Sequence, residues 1–364
     1  MAFLENLQIK TFRGINNLSI SRLGQINIIV GDNNCGKTSM LEAVELLRTS
    51  GNLANLYRIA RQRDEYAFLG SSSIYDNFIC LFPHDGSRLN IDVSGICNSK
   101  EISCKIEGRQ ETVLLEAKEL EKAVLKLNTD LLGELETEVF NGSIETKYGT
   151  DSKTERISIN RYSRVSGTPL STKDKFSIVY VAPFEHLRGK VLSQIVKNVQ
   201  YKEICIKALQ LFDSDIEDAL ILRSDIGNRP VEYLRHKKLE NMPIATYGDG
   251  IKKVLALSNK IAQAAGGILL IDEIETAIHK KYYDDIFRFV VKACKAFDVQ
   301  VFITTHSLEA IDGILATQDY ESQAESDDIK VVTLKREGDN TYSRVLSGRE
   351  VFINRESYGF EVRL

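Results

Sequence analysis

A chain of 364 residues and 41.0 kDa, 43% of it hydrophobic, has enough apolar material for a substantial core, as one large domain or one domain carrying an insertion. Its formal net charge of −4 and pI near 5.9 exclude a global attraction to nucleic acid, although a local basic groove stays compatible with them. Six cysteines (Cys35, Cys80, Cys97, Cys104, Cys205, Cys294) form no Cys-x-x-Cys pair, and no apolar run approaches the roughly 20 residues that span a bilayer, so a cytoplasmic protein with reduced thiols, no zinc site and no signal peptide is expected.

The predicted elements begin with short strands in LENLQIKTF and NLSISRL, joined by a turn at RGINN. INIIV, Ile26 to Val30, is wholly apolar and β-branched, the pattern of a parallel strand buried on both faces. GDNNCGKTS follows, and then Met40, Leu41, Val44 and Leu47 recur at helical spacing, so the loop opens a helix. A further helical stretch, from about Leu53 to Gln62, leads to NFICLF.

From about Arg88 to Tyr162 polar and apolar residues alternate between Gly and Asn breaks, which predicts antiparallel strands and hairpins. One helical piece, EAKELEKAVLKL (Glu116 to Leu127), interrupts them. Acids outnumber bases by roughly two to one between Glu101 and Glu155, so the segment reads as an insertion or outlying β lobe, not as a nucleic-acid arm. The α/β texture returns at FSIVYVAP, a strand stopped at Pro183. Amphipathic helices from Gly189 to Phe212 and a strand pair, ALILRS and VEYLRH, come next. Ile244 to Ile314 holds a helix after YGDG, the strand GILLI, a helix, the strand VQVFITT and the start of another helix. The tail offers strands in IKVVTLKR and YSRVLS and then a polar end.

Three of these elements carry chemistry. Gly31, Asp32, Asn33, Asn34, Cys35, Gly36, Lys37 and Thr38 fit the eight-position phosphate-binding P-loop pattern without a mismatch. The two glycines let the backbone wrap closely, so that N–H groups and the helix N-terminus point at phosphate oxygens. Lys37 would neutralise the β- and γ-phosphates, and the Thr38 hydroxyl would ligate Mg²⁺. The loop alone does not separate a kinase from a GTPase or an ATPase. In GILLIDEIE, Ile268 to Ile271 run into Asp272 and Glu273. An acid at the end of a buried strand can hold the Mg²⁺ shell, and the next acid can polarise a water facing the γ-phosphate. VFITTHS ends another apolar strand in His306, which could hydrogen-bond the γ-phosphate or the attacking water. A chance glycine spacing, a surface acid pair or a structural histidine would each be the plainer reading in isolation. Carboxyl ends of buried parallel strands share one rim in a doubly wound sheet, however, and there the three signals corroborate one another.

In that order and over most of residues 1–315, these motifs resemble the ABC-type ATPases of the SMC, RecF and OLD (overcoming lysogenization defect) group. The stretches LQIKTFRGINNLSI, INIIVGDNNCGKTSMLEAV, YGDGIKKVLALSNKIAQA, LLIDEIETAIH and VFITTHSLEAI are similar to OLD-type ATPase domains. The resemblance implies an α/β P-loop NTPase of ABC-ATPase type, a mostly parallel buried sheet with an antiparallel β lobe and an inserted, mainly β and helical segment. Residues 1–95 would form the first part of the ATPase domain, 96–175 the insertion, and 176–364 the helical lobe and second part.

ATP and Mg²⁺ are the implied cofactors. Asn33, Asn34, Cys35 and Ser39 join Gly31, Gly36, Lys37 and Thr38 in the expected nucleotide cradle, with Thr38 and Asp272 on the metal. Glu273, His306 and Lys37 would be catalytic: Glu273 the carboxylate on water, His306 the switch histidine. ETAIH, Glu275 to His279, would communicate across a dimer. Gly248, Asp249 and Gly250 stand where the group has its signature motif, which contacts the ATP of the other subunit. The signature serine is missing here, and Asp249 brings a negative charge that must point away or order Lys252 or Lys253. Gln62 is the candidate for the Q-loop glutamine, and Arg13 is a candidate neighbour of the nucleotide.

DSDIED (Asp213 to Asp218) reads as a helix end followed by an N-cap, Tyr282 and Tyr283 as packing or interface residues, and Cys35 as a space-filler. A Toprim nuclease domain would need a glutamate and an Asp-x-Asp pair; fewer than sixty residues follow His306 without that arrangement, so no nuclease activity is expected of this chain. The implied function is an ATP-hydrolysing switch that dimerises, or forms a higher homo-oligomer, and acts on a separate nuclease- or Toprim-like effector in bacterial defence against phage. The alternative is a RecF-like DNA-binding ATPase of repair. A transporter subunit fits poorly without LSGGQ, and no membrane is expected.

Overall fold

The computed structural model describes residues 3–48, 53–63, 73–83, 89–114, 136–163, 176–187, 190–224, 227–320 and 328–363. The helical piece expected at Glu116 to Leu127 lies outside them.

The central sheet follows from four apolar runs without alternation. β3 (Ile26–Gly31), β8 (Ile178–Val181), β12 (Ile268–Ile271) and β13 (Gln300–Thr304) are buried at every position. With β14 (Ile329–Glu337) and β15 (Asn340–Ser347) they form a sheet of order β15-β14-β3-β13-β12-β8, parallel throughout except for the edge strand β15. Successive residues of a strand face opposite sides, so each run feeds two cores. Ile28, Val30, Leu269, Ile271, Val301 and Ile303 pack on one side. That side is covered by α4 (Val199–Leu209), α5 (Asp249–Gln263), α6 (Tyr283–Ala296) and α7 (Leu308–Leu315). Ile29, Leu270 and Phe302 face the other side, with Met40, Leu41 and Val44 of α1 (Lys37–Leu46).

Beyond α1 lies a second sheet. β1 (Leu4–Phe12), β2 (Ile15–Ile20), β4 (Leu89–Cys97), β5 (Lys100–Leu114), β6 (Glu136–Tyr148) and β7 (Asp151–Asn160) are antiparallel neighbours in the order β2-β1-β4-β5-β6-β7. The alternating strands expected as an outlying lobe from residue 96 therefore extend the N-terminal hairpin, and the expected boundary falls inside β4, which pairs with β1. Gln300 joins the two sheets. Its side chain accepts from Leu4 N at 2.7 Å and donates to the carbonyls of Leu4 and Gly24, both at 2.9 Å. A small third sheet, β9 (Ile216–Ser224), β10 (Gly227–His236) and β11 (Glu240–Pro243), contains the expected strand pair. DSDIED thus opens a strand, not a helix, because Ile216 begins β9.

Between α1 and β4 lie α2 (Leu53–Ala60) and α3 (Ile74–Ile79). The end of the chain also departs from expectation. It is helical, α8 (Gly348–Tyr358), started by a capping box in which Ser347 Oγ accepts from Glu350 N and the Glu350 carboxylate accepts from Ser347 N. No helix among the described residues is long and apolar enough to cross a membrane.

Candidate nucleotide-binding site

Three strand ends meet at one rim. Gly31 closes β3 at φ 140° and Gly36 caps α1 at φ 103°, conformations that favour glycine. A Cβ on Gly31 would sit 2.2 Å from the Leu334 carbonyl oxygen, so β14 leaves no room for a side chain there. Lys37, buried at 6% exposure, reaches back over the loop, and its Nζ donates to the carbonyls of Gly31 and Asp32, both at 2.8 Å. The ammonium is held over the loop on acceptors that phosphate oxygens can replace. Cys35 is buried behind the loop, and burial pushes its thiol up against the opposing pull of Lys37. A thiol kept protonated in this way packs and does not attack.

β12 and β13 pair in register with Ile271 opposite Ile303, which puts Asp272 beside Thr304. Asp272, 4% exposed, accepts from three hydroxyls: Thr304 Oγ1 at 2.6 Å, Tyr180 at 2.9 Å and Thr38 Oγ1 at 3.0 Å. Burial, and after it the charge of Asp272, push the Tyr180 hydroxyl well above its usual range, so it stays a donor. A carboxylate facing a threonine hydroxyl is a hard-oxygen donor pair of the kind Mg²⁺ selects, so Thr38 and Asp272 fit the ion that the sequence implies. Glu273 adopts φ 47°, a left-handed turn in which Thr304 Oγ1 accepts its N–H at 2.8 Å. Its neighbour Asp272 stays buried, while Glu273 itself lines the cleft.

His306 follows β13 and is gripped through its peptide. Its N–H donates to Glu275 Oε1 at 2.7 Å, and its carbonyl accepts from Arg363 Nη1 at 3.0 Å. The tail is anchored besides by Thr333 Oγ1, which donates to the Val362 carbonyl at 2.7 Å.

A cleft of about 700 Å³ opens on this rim. Of the residues expected in the cradle, Asn33, Asn34, Gly36, Lys37, Thr38 and Ser39 line it, as do Glu273 and His306. Gly31 and Cys35 support the loop from behind, and Asp272 stands under Thr38. Arg13 lines the cleft too. Gln62 does not: its amide donates to Glu45 Oε2 at 2.5 Å, and the next residue, Arg63, reaches the cleft instead. Arg63 donates to Ser39 Oγ at 2.8 Å and, with Arg13, clasps the fully buried Glu42 at 2.7 Å each. Arg336 of β14 completes the cationic lining. Neither Arg63 nor Arg336 stands in a motif that local sequence reading could single out.

Gly248, Asp249 and Gly250, at the start of α5, are not among the residues lining this cleft. Asp249 turns to Lys252, its Oδ1 accepting from Nζ at 3.4 Å. Tyr282 and Tyr283 pack, Tyr282 on Phe212 with ring centroids 4.2 Å apart and Tyr283 on Phe287 at 4.8 Å. Asp213 and Asp215 do come together with His236, their ligand atoms all within 4.8 Å of one another.

Known proteins show what this arrangement is similar to. The profile of a family described as "AAA domain, putative AbiEii toxin, Type IV TA system" matches residues 26–312. A Helicobacter pylori protein named "ATP/GTP phosphatase" is 22% identical over 370 residues, which cover 96% of each chain. "DNA replication and repair protein RecF" of Pseudoalteromonas translucida is 37% identical over 79 residues, 20% of this chain and 21% of that one. Among solved structures, the SMC head bound to the C-winged helix domain of ScpA covers 96% of this chain and 99% of its own at 13% identity and a TM-score of 0.48.

Proposed function

The chain belongs to that AAA-domain family and is an ABC-type ATPase of the SMC/RecF/OLD group, and on that footing we propose that it is an ATP-driven switch in which two copies close over two nucleotides and act on a separate effector. One observation carries the reading. Lys37, Thr38, Glu273 and His306 surround a single cleft over Asp272, whereas Gly248 to Gly250 lie outside its lining at a helix N-terminus. Such a terminus presents free N–H groups and a positive dipole end to an anion. A second copy would bring it to the nucleotide that the first copy holds, with Asp249 engaged by Lys252.

In this reading Lys37 leaves the Gly31 and Asp32 carbonyls for phosphate oxygens, while Thr38 and Asp272 would hold Mg²⁺, which would supply compensation of phosphate charge when bound. Glu273 takes a proton from water as the water oxygen bonds to the γ-phosphorus and the bond to the β-phosphate oxygen breaks, leaving ADP and phosphate. His306 hydrogen-bonds the γ-phosphate or that water. The name of the Helicobacter relative makes GTP a second substrate to try. The resemblance to OLD-type proteins supports a nuclease- or Toprim-like effector and a role in defence against phage.

Replacing Glu273 by Gln tests the core of the proposal. With ATP and Mg²⁺ the variant is expected to lose turnover by about 10²–10⁴-fold and to accumulate as a nucleotide-bound dimer in light scattering. Undiminished hydrolysis would remove Glu273 from its role, and a variant that stays monomeric with nucleotide bound would remove the closure. The RecF matches favour a second reading, a DNA-dependent ATPase. Stimulation of turnover by duplex DNA, falling steeply with salt, would select it.

A further inference from the structure

The His306 imidazole lines the cleft, yet among the described residues no hydrogen bond reaches its ring. Its aim therefore rests on the backbone that carries it, and that backbone is held from two directions. Glu275 takes the N–H at 2.7 Å, and Arg363 Nη1 donates to the carbonyl at 3.0 Å. The carbonyl lies past the end of β13, so Arg363 supplies the donor that the sheet ladder no longer does. The peptide that bears this carbonyl also bears the Ser307 N–H, which donates to Thr305 Oγ1 at 3.0 Å.

Arg363 is itself held in one plane. Its Nε and Nη2 donate to Glu361 Oε1 and Oε2 at 2.7 and 2.8 Å, a two-pronged contact that leaves Nη1 directed at His306. Both side chains are about a third exposed, and a pair so placed adds little to stability; its use lies in aiming the guanidinium. Between them Val362 is 0% exposed in the core that holds α7, and Thr333 Oγ1 fixes its carbonyl. Just upstream, Arg355 of α8 donates from Nη1 to the Phe360 carbonyl at 2.8 Å and from Nη2 to Asp312 Oδ2 of α7 at 2.7 Å. Ser307 caps α7, so the helix that follows His306 and the tail that grips it are tied together.

We propose that Arg363 is a positioning residue for His306: through Nη1 it fixes the peptide between His306 and Ser307, and with it the aim of the imidazole into the cleft. Glu361 acts through Arg363 by holding the guanidinium in plane. The segment from Phe360 to Arg363 thus belongs to the site, although none of its residues is among those lining the cleft. The effect on turnover rests on the ATPase reading proposed above. The grip on the peptide requires no nucleotide and is tested apart from that reading.

Arg363→Met, Arg363→Lys, Glu361→Ala and the double variant of Arg363→Met with Glu361→Ala are compared with the parent chain in two measurements. The first is hydrogen exchange without nucleotide. The Ser307 amide is expected to exchange about tenfold faster in Arg363→Met and about threefold faster in Glu361→Ala, while the Ile303 amide within β13 keeps its parental rate. The second is ATP turnover with Mg²⁺. There kcat is expected to fall about tenfold in Arg363→Met and about threefold in Glu361→Ala, with KM within about twofold. The double variant is expected to lose no more than Arg363→Met alone. Arg363→Lys, which keeps a charged donor, is expected to come within about threefold of the parent. Parental Ser307 exchange or parental kcat in Arg363→Met would overturn the proposal. So would equal acceleration at Ser307 and Ile303, the mark of a general loosening, or losses that multiply in the double variant. Should Arg363→Met fail to fold, Glu361→Ala decides the matter in the same two measurements. A parent chain with no turnover would count against the ATPase switch, and the exchange rates would still decide the grip on His306.

Discussion

Asp272 and Glu273 stand at the end of β12, and Asp213, Asp215 and His236 stand beside the small sheet of β9 to β11. Both groups crowd acids together, but their partners differ. Beside the small sheet each of the three side chains already has a protein partner. His236 Nδ1 accepts from the N–H groups of Lys238 and Leu239, both at 3.1 Å, which leaves the proton on Nε2 to face Asp213 at 3.2 Å. Asp215 pairs with Lys238 at 2.5 Å. At β12 the partners come from three separate elements, and the hydroxyl of Thr38 stands beside a cleft where a ligand can take its place. What sets the candidate site apart is convergent donors that a ligand can exchange, not the number of its carboxylates.

Four experiments break or sharpen that contrast. The largest effect is expected at Asp272: Asp272→Ala should lower magnesium-dependent phosphate release by about 10³-fold, roughly 4 kcal/mol, while Asp215→Asn leaves it within about twofold. Equal losses at the two positions would end the distinction. Next comes Glu42, a buried acid with a structural load, since its removal leaves Arg13 and Arg63 uncompensated. Glu42→Ala should cost about 3–5 kcal/mol in urea unfolding, and a loss under about 1 kcal/mol would show the arginines finding other partners.

A third experiment asks what an under-partnered buried charge costs: Lys253 of α5 is 0% exposed, and among the described residues the one hydrogen bond it makes is to the Pro183 carbonyl at 3.2 Å. The folded chain holds the Lys253 proton with a pKa of about 8, against the usual 10.5 when unfolded. Below pH 8 both states are protonated and the full burial penalty applies. Between the two values the unfolded chain binds more protons, so stability rises with pH, by about 3 kcal/mol at most. Unfolding midpoints at pH 7.5 and 10 should show this climb in the parent and lose it in Lys253→Met. Identical shifts in the two proteins would refute it. The smallest effect is expected at Tyr180: Tyr180→Phe removes one of the three hydroxyls on Asp272 and should raise the magnesium concentration for half-maximal turnover about tenfold. An unchanged requirement would mean that Thr304 and Thr38 hold the carboxylate unaided.

The strand ends bearing Gly31, Asp272 and His306 are legible in the sequence because each is local: an apolar run, then polar residues within a few positions. What joins them is not local. β1 and β4 pair across some eighty residues, and nothing in either strand names the other, which is why the stretch from about Arg88 to Tyr162 reads as a lobe apart. Arg63 escapes because only the packing of α1 against α2 decides whether it or Gln62 faces the cleft. Tyr180 is different, since a polar ring in the apolar run FSIVYVAP could have been noticed as a buried group in need of a partner. The terminal helix was also within reach, for Ser347 and Glu350 stand at capping-box spacing.

The left-handed turn at Glu273 has a consequence for how this protein would respond to breeding. A side chain in that conformation costs roughly 1–2 kcal/mol that glycine would not incur. Random libraries sorted for heat resistance alone should therefore drift to glycine at 273, gaining robustness and discarding the carboxylate, whereas sorting for nucleotide turnover should hold glutamate in place against that gradient.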